Sequence, residues 1–450
     1  MSTIDKLNLK STLLEQFKTF ENELNGEGKK PIHKIRQQAI QTFDGLGFPT
    51  TKHEEWKYTN LGKVLKQAYT FGKRSELQMA DIQQFLLPNI PNANTIVFVN
   101  GAYEPTLSNI VSSEEVLIVK TLEEAYDTHE SLVAPYFGQL TKTSEEAMIA
   151  LNTAFTKNGI FIHVPANKVV EEPVLMYFIT DTRTANQGAQ PRSLIVVEQG
   201  AKATFVDKTD TLGENASFNN VVTEIVVEPN ARVEHYKVQN DHAQASYIGT
   251  TQVKQAQDSY YANTTISLNG SIVRNNLNVA LDGSNVETHM FGLYMLTGNT
   301  HVDNHSIADH LKPHSMSNEL YKGIMDESST GVFNGKIFVR QDAQKTNAYQ
   351  QNRNILLSDN ASINTKPQLE IWADDVKCSH GATTGNLDEE ALFYLRSRGI
   401  AENEAHALLI HAFGNEIIEK ITLEPLRAYL EQLVMQRLGV DLNPISADFE

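Results

Sequence analysis

Cysteine is nearly missing from this chain: Cys378 is the one example in 450 residues. An internal disulfide framework is therefore excluded, and a reducing, cytoplasmic setting is the natural expectation. One thiol also cannot build the usual all-thiolate cradle of an iron–sulfur cluster. Positive charge is scarce, with 38 Lys and Arg against 55 Asp and Glu and a formal net charge of -17. That balance argues against a nucleic-acid binder, whose affinity rests on cations that neutralise phosphates, and against an anionic membrane surface. No apolar run approaches the roughly 18 residues of a membrane span. The opening "MSTIDKLNLKSTLLEQF" lacks a signal-peptide core. No P-loop and no convincing GxGxxG fingerprint occur, which disfavours nucleotide chemistry within the chain.

What is present falls into three regions. Residues 1–94 read as a helical domain: "LNLKSTLLEQFKTFENELN" sets Leu9, Leu13, Leu14, Phe17 and Phe20 at helical spacing. A Pro-containing turn then leads into "KHEEWKYTN", and a short helix is expected around 75–87. Residues 95–385 change texture. Short apolar strands recur ("TIVFVN", "GIFIHVP", "PVLMYFIT", "VVTEIVVEPN", "KIFVR"), interrupted mainly by a helix in "SEEAMIALNTAFTKNG". Strands without regularly alternating helices disfavour a doubly wound sheet.

A turn device repeats in "VEQGAKATF", "VEPNARVEH", "LDGSNVETH" and "LSDNASINT", which offers Gly200, Asn230, Gly283 and Asn360 for left-handed backbone. One turn reused before successive strands suggests stacked coils. A parallel β-helix fits best, with a β-sandwich or jelly roll as the competing fold. Asn-rich "NTTISLNGSIVRNNLN" and "QKTNAYQQNRN" suit polar ladders along such a solenoid. Residues 386–450 return to helix, with Asn386 and Glu389 as a capping pair, Gly399 as a stop, a second helix ending near Gly414 and a third interrupted by Pro425. The expected fold class is mainly β, with helical domains on both flanks.

Two segments can carry chemistry. In "HVDNH" a strand would aim His301, Asp303 and His305 from one face, a ligand set familiar for zinc or non-haem iron. A hydrogen-bonded polar face explains the same spacing. In "VKCSHGATTG" a strand would put Cys378 and His380 on one face. An imidazolium there favours thiolate, which binds soft metals or attacks electrophiles. Asp374 or Asp375 can orient His380. A buried thiol beside an unrelated histidine fits equally well.

The segment from Asp342 to Gly399, with "KCSHGAT" at its centre, resembles the signature region of the SufB/SufD family of iron–sulfur cluster assembly scaffolds. "KHEEWKYTNLGKV" and "AENEAHALLIHAFGNEI" extend the resemblance to both ends, and "KCSHGAT" is of the SufD type. The resemblance implies a right-handed parallel β-helix flanked by N-terminal and C-terminal α-helical domains. It implies a non-catalytic scaffold that pairs with a SufB-type subunit through the end of the β-helix. A SufC-type ABC ATPase, which owns the ATPase activity, would dock through the helices around 386–438. His380 and Cys378 would be interfacial ligands of a nascent Fe–S cluster shared transiently with the SufB-type subunit, in work that supports iron acquisition. The family also implicates a flavin in the assembled complex and homodimers of the isolated SufD-type chain, with no cofactor bound tightly by that chain alone. Set against this are a β-helix enzyme, carbohydrate-active or a cysteine-dependent hydrolase, and an inert structural partner.

Overall fold

The computed structural model describes residues 9–439 apart from 25–27, 29, 73–74, 91, 142 and 157–158, so expectations for the chain ends fall outside the described residues. Successive strands alternate between two sheets, and each strand's neighbour within a sheet comes from the next coil. The 10-stranded sheet runs from Asn94–Val99 through Val174–Asp181 and Lys202–Leu212 to Met316–Met325, Asn347–Leu356 and finally Lys377–Gly385. The 12-stranded sheet runs from Ile118–Thr121 through Ser217–Val227, Ile272–Leu281 and His301–His310 to Thr330–Val339, which pairs with Ser362–Thr365 and Gln368–Ile371. The result is a mainly β solenoid of about 8 turns with helices at both ends of the chain. Its long ladders, such as Ile272–Leu281 on His301–His310, are parallel. The antiparallel pairing of a sandwich or jelly roll is thereby excluded.

One corner explains why the coils stack in register. Asn167, Gly200, Asn230, Asp258, Asn285, His314 and Lys345 all have left-handed backbone. Each donates its N–H to a carbonyl one coil further on, as Gly200 does to Pro229, Asn230 to Gln257 and His314 to Gln344. Gly200 and Asn230 hold the expected positions. In the next expected turn the left-handed residue is Asn285 rather than Gly283, and Asn360 is not left-handed. Gly283 is needed for a different reason: a Cβ there would lie 2.2 Å from the backbone nitrogen of Gln257.

Apolar side chains that alternate along each strand fill the space between the sheets. The helical modules bury the two outer faces. Helices Leu9–Glu23, Pro31–Leu46 and Ala147–Ala154 pack Leu13, Phe17, Phe43 and Met148 on Phe218, Ile248 and Ile272 of the 12-stranded sheet. Helices Glu402–Ile418 and Glu424–Arg437 pack Ile410, Ile417, Leu426 and Leu430 on Tyr236, Leu293 and Ile324 of the 10-stranded sheet. Each such Leu, Ile or Phe contributes about 1.5–3 kcal/mol by leaving water.

The C-terminal boundaries differ from expectation. The cap of Glu389–Ser397 is Asp388, whose carboxylate accepts from the N–H groups of Glu390 and Ala391, not the Asn386–Glu389 pair. The next helix continues past Gly414 to Ile418, because Gly414 faces Leu293 at close range and lets the helix approach the sheet. Pro425 does not interrupt a helix. It sits in the first turn of Glu424–Arg437, where a missing N–H costs nothing. The short helix expected near 75–87 is present as Met79–Ile82 followed by a tight turn at Gln83–Phe85. No helix among the described residues is long and apolar enough to cross a membrane.

Candidate functional site

Lys377–Gly385, the segment holding Cys378 and His380, is the last strand of the 10-stranded sheet. It pairs with Asn347–Leu356 on one side, and among the described residues its other edge carries no strand. Apart from the half-buried Cys378, the whole strand is exposed. The Lys377 N–H donates to the Thr346 carbonyl at 2.9 Å. Backbone alternation from there aims the N–H groups of Cys378, His380 and Ala382 at the open edge. Such an edge is a template for pairing with another chain.

Cys378 and His380 share a face, as their spacing requires. Cys378 packs against the apolar core between the sheets. Burial there pushes its thiol above the ordinary value, with only a backbone hydrogen bond at Ala348 acting the other way. This reverses the expectation of a thiolate favoured by the neighbouring histidine. Asp375 does not orient His380, since it pairs with Lys345.

Below His380 runs a buried polar column that the motif did not disclose. In register, His380 stacks on Gln350 and Gln350 on Glu319. Gln350 and Glu319 are both 1% exposed. The Gln350 amide nitrogen donates to a Glu319 carboxylate oxygen at 2.7 Å, and the Ser306 hydroxyl, from the opposite sheet, donates to the other. Burial pushes the Glu319 carboxyl up to about 7, against the lowering effect of those two hydrogen bonds. Deeper in the solenoid, Asn275 bonds Gln239 and Asn304, and Asn352 donates to the Tyr294 hydroxyl at 2.9 Å, which realises the ladders expected of the Asn-rich segments. The available signal was a lone Glu at an inward position of "MSNELYKGIM" and polar residues at alternate positions of "YQQNRN".

"HVDNH" does form a strand with His301, Asp303 and His305 on one face, but that face receives the N-terminal module. The Thr59 hydroxyl lies 2.8 Å from His301 Nε2 and 2.5 Å from Asp303. His305 Nε2 lies 3.0 Å from Asp303 and its Nδ1 3.5 Å from Glu55. Arg274 pairs with Asp303 at 2.6 Å and covers the Trp56 ring. Burial opposes ionisation of Asp303, yet His305 and Arg274 outweigh it and hold its carboxyl well below the ordinary range. The His305 hydrogen bond, with Lys336, holds Glu55 down to about 2 despite partial burial. These residues clasp "HEEW" to the solenoid. Among the described residues, no three His, Cys, Asp or Glu side chains converge on a metal-sized site.

Geometry thus defines a solenoid scaffold whose terminal strand offers a thiol and an imidazole at an unpaired edge. Residues 178–413 match the model of the SufBD core domain of SUF system FeS cluster assembly, and residues 7–176 match that of the SufBD protein N-terminal region. The chain is 35% identical to an iron–sulfur cluster assembly SufBD family protein of Synechocystis, over 89% of this chain and 90% of that one. It is 31% identical to the iron–sulfur cluster assembly protein SufD of Escherichia coli, over 90% and 91% of the two chains. The SufD protein of Bacillus subtilis is 27% identical over 90% and 94%. The chain belongs to the SufBD family of iron–sulfur cluster assembly proteins.

Proposed function

We propose that this chain is a non-catalytic, SufD-type scaffold subunit that works in the cytoplasm beside a SufB-type subunit and a SufC-type ATPase. The observation that carries this reading is the open edge of Lys377–Gly385, which presents Cys378 and His380 where a second solenoid end can pair. A thiol and an imidazole are too few ligands for a cluster. The nascent Fe–S cluster, as cargo, would complete its ligand set from the SufB-type subunit. Burial of Cys378 disfavours its thiolate in the chain alone, and a metal arriving at the edge would favour it.

The ATPase would dock on the C-terminal helices. Glu389–Ser397 supports this assignment: it leaves Phe393 75% and Tyr394 57% exposed, an aromatic face beside helices that are otherwise packed.

Replacing Ala382 with Pro tests the pairing. It removes one outward N–H while leaving the ladder to Asn347–Leu356 its donors. Co-expressed with both partners, wild-type chain is expected to co-purify with the SufB-type subunit, and Ala382→Pro is expected to lose it while retaining the ATPase. Undiminished pairing by the variant would remove the edge from the interface.

A further inference from the structure

We infer that Gln350 is a positioning residue for His380: its buried amide oxygen accepts the N–H of one imidazole nitrogen and so fixes which nitrogen faces the open edge. The inference rests on the reading of His380 as a ligand of the nascent cluster, and it adds to that reading the residue that orients the ligand.

Three observations meet at Gln350. Its Cα partner on the terminal strand is His380, and the face it shares with His380 points between the sheets. Side chains at one register position and on one face stack as neighbours about 4.8 Å apart. The inward direction is fixed from the opposite wall: a Cβ on Gly335 would lie 2.4 Å from the Gln350 amide nitrogen. Gly335 leaves open the space that the carboxamide occupies.

The second observation is that the amide is not free to turn over. Its nitrogen donates to Glu319 at 2.7 Å, and Glu319 is itself held from the far side by the Ser306 hydroxyl. Where Glu319 is ionised, above about pH 7, a flipped carboxamide would set its oxygen against a carboxylate that has no proton to offer.

The third is that, among the described residues, the buried Gln350 oxygen has no hydrogen-bond partner, so its bond to His380 forms only when the exposed imidazole turns toward it. An unpaired buried acceptor costs about 1–3 kcal/mol. Its next neighbour along the column, away from Glu319, is His380. Histidines that bind metal commonly donate their second ring N–H to a carbonyl or carboxylate, which sets the tautomer and the ring direction. Gln350 supplies that acceptor from within the solenoid, leaving the other ring nitrogen for a ligand that arrives at the edge.

The test uses the full chain with nitrogen-labelled histidine, and the His380 signals are assigned by difference from a His380→Gln variant. At alkaline pH, wild-type His380 is expected to show one dominant tautomer. Gln350→Met, close in shape but without an acceptor, is expected to shift it toward the mixture of a free imidazole. A free-imidazole mixture already present in the wild type overturns the inference, and this outcome needs no variant to fold. An unchanged His380 spectrum in a folded Gln350→Met variant overturns it as well. In the complex with both partners, Gln350→Met is expected to lower cluster formation by about tenfold. If His380→Ala abolishes clusters and Gln350→Met leaves them unchanged, the positioning role fails while the proposed function stands. If His380→Ala leaves clusters intact, the proposed function fails whatever the tautomer.

Discussion

Arg274 and Asp303 are register partners on adjacent coils, and an ion pair of 2.6 Å joins them beneath the Trp56 ring. Both are almost wholly buried, so the pair is a joint between solenoid and N-terminal module rather than a surface contact. Removing one partner leaves the other charged and without water. Arg274→Ala is therefore expected to destabilise the chain by about 3–5 kcal/mol. Guanidinium unfolding would measure the loss, and protease cleavage near residues 50–60 would rise with it. A change below about 1 kcal/mol would show that the clasp is dispensable.

Glu319 makes stability depend on pH in a defined direction. Its folded carboxyl is raised from 4.5 to about 7 by burial. Between those values the folded state holds a proton that the unfolded state has released. Its contribution is thus fully present below about 4.5 and is lost as pH rises toward 7. Glu319→Gln removes this dependence. Relative to wild type, the variant is expected to gain on the order of 3 kcal/mol across that interval. Denaturant melts at several pH values would read the difference, and a flat difference would contradict the buried column.

Phe393 and Tyr394 on Glu389–Ser397 are exposed and form the proposed ATPase contact. Phe393→Asp, at a residue 75% exposed, is expected to leave folding within about 0.5 kcal/mol of wild type. Its effect should appear in binding instead, with at least a tenfold loss of affinity for the SufC-type ATPase by titration calorimetry and unchanged pairing with the SufB-type subunit.

The fold was legible because period-two strands and helical apolar stripes both survive in sequence, and because Gly200 and Asn230 mark their corners by residue type. The remaining corners were hidden. Asp258, His314 and Lys345 adopt the same left-handed backbone and donate the same N–H bonds to the next coil, and of these Lys345 is a residue type that gives no local sign of it. Helix ends failed for a related reason: Gly414 reads as a stop until the sheet that it approaches is known.

The candidate site divides in the same way. Cys378 and His380 share a face that spacing alone required. "HVDNH" also kept its face, but its chemistry was decided by a segment some 240 residues away, when Thr59 and Glu55 met it. Gln350 and Glu319 were invisible because strand register, not sequence distance, brings them beneath His380.

The central claim is that His380, at the open end of the solenoid, serves cluster assembly. The most direct measurement is the iron and acid-labile sulfide content of the three-subunit complex, purified anaerobically, with wild-type chain and with His380→Ala. The account predicts an intact complex in both cases and a loss of at least tenfold in iron and sulfide for the variant. Equal iron and sulfide in the two complexes would contradict it.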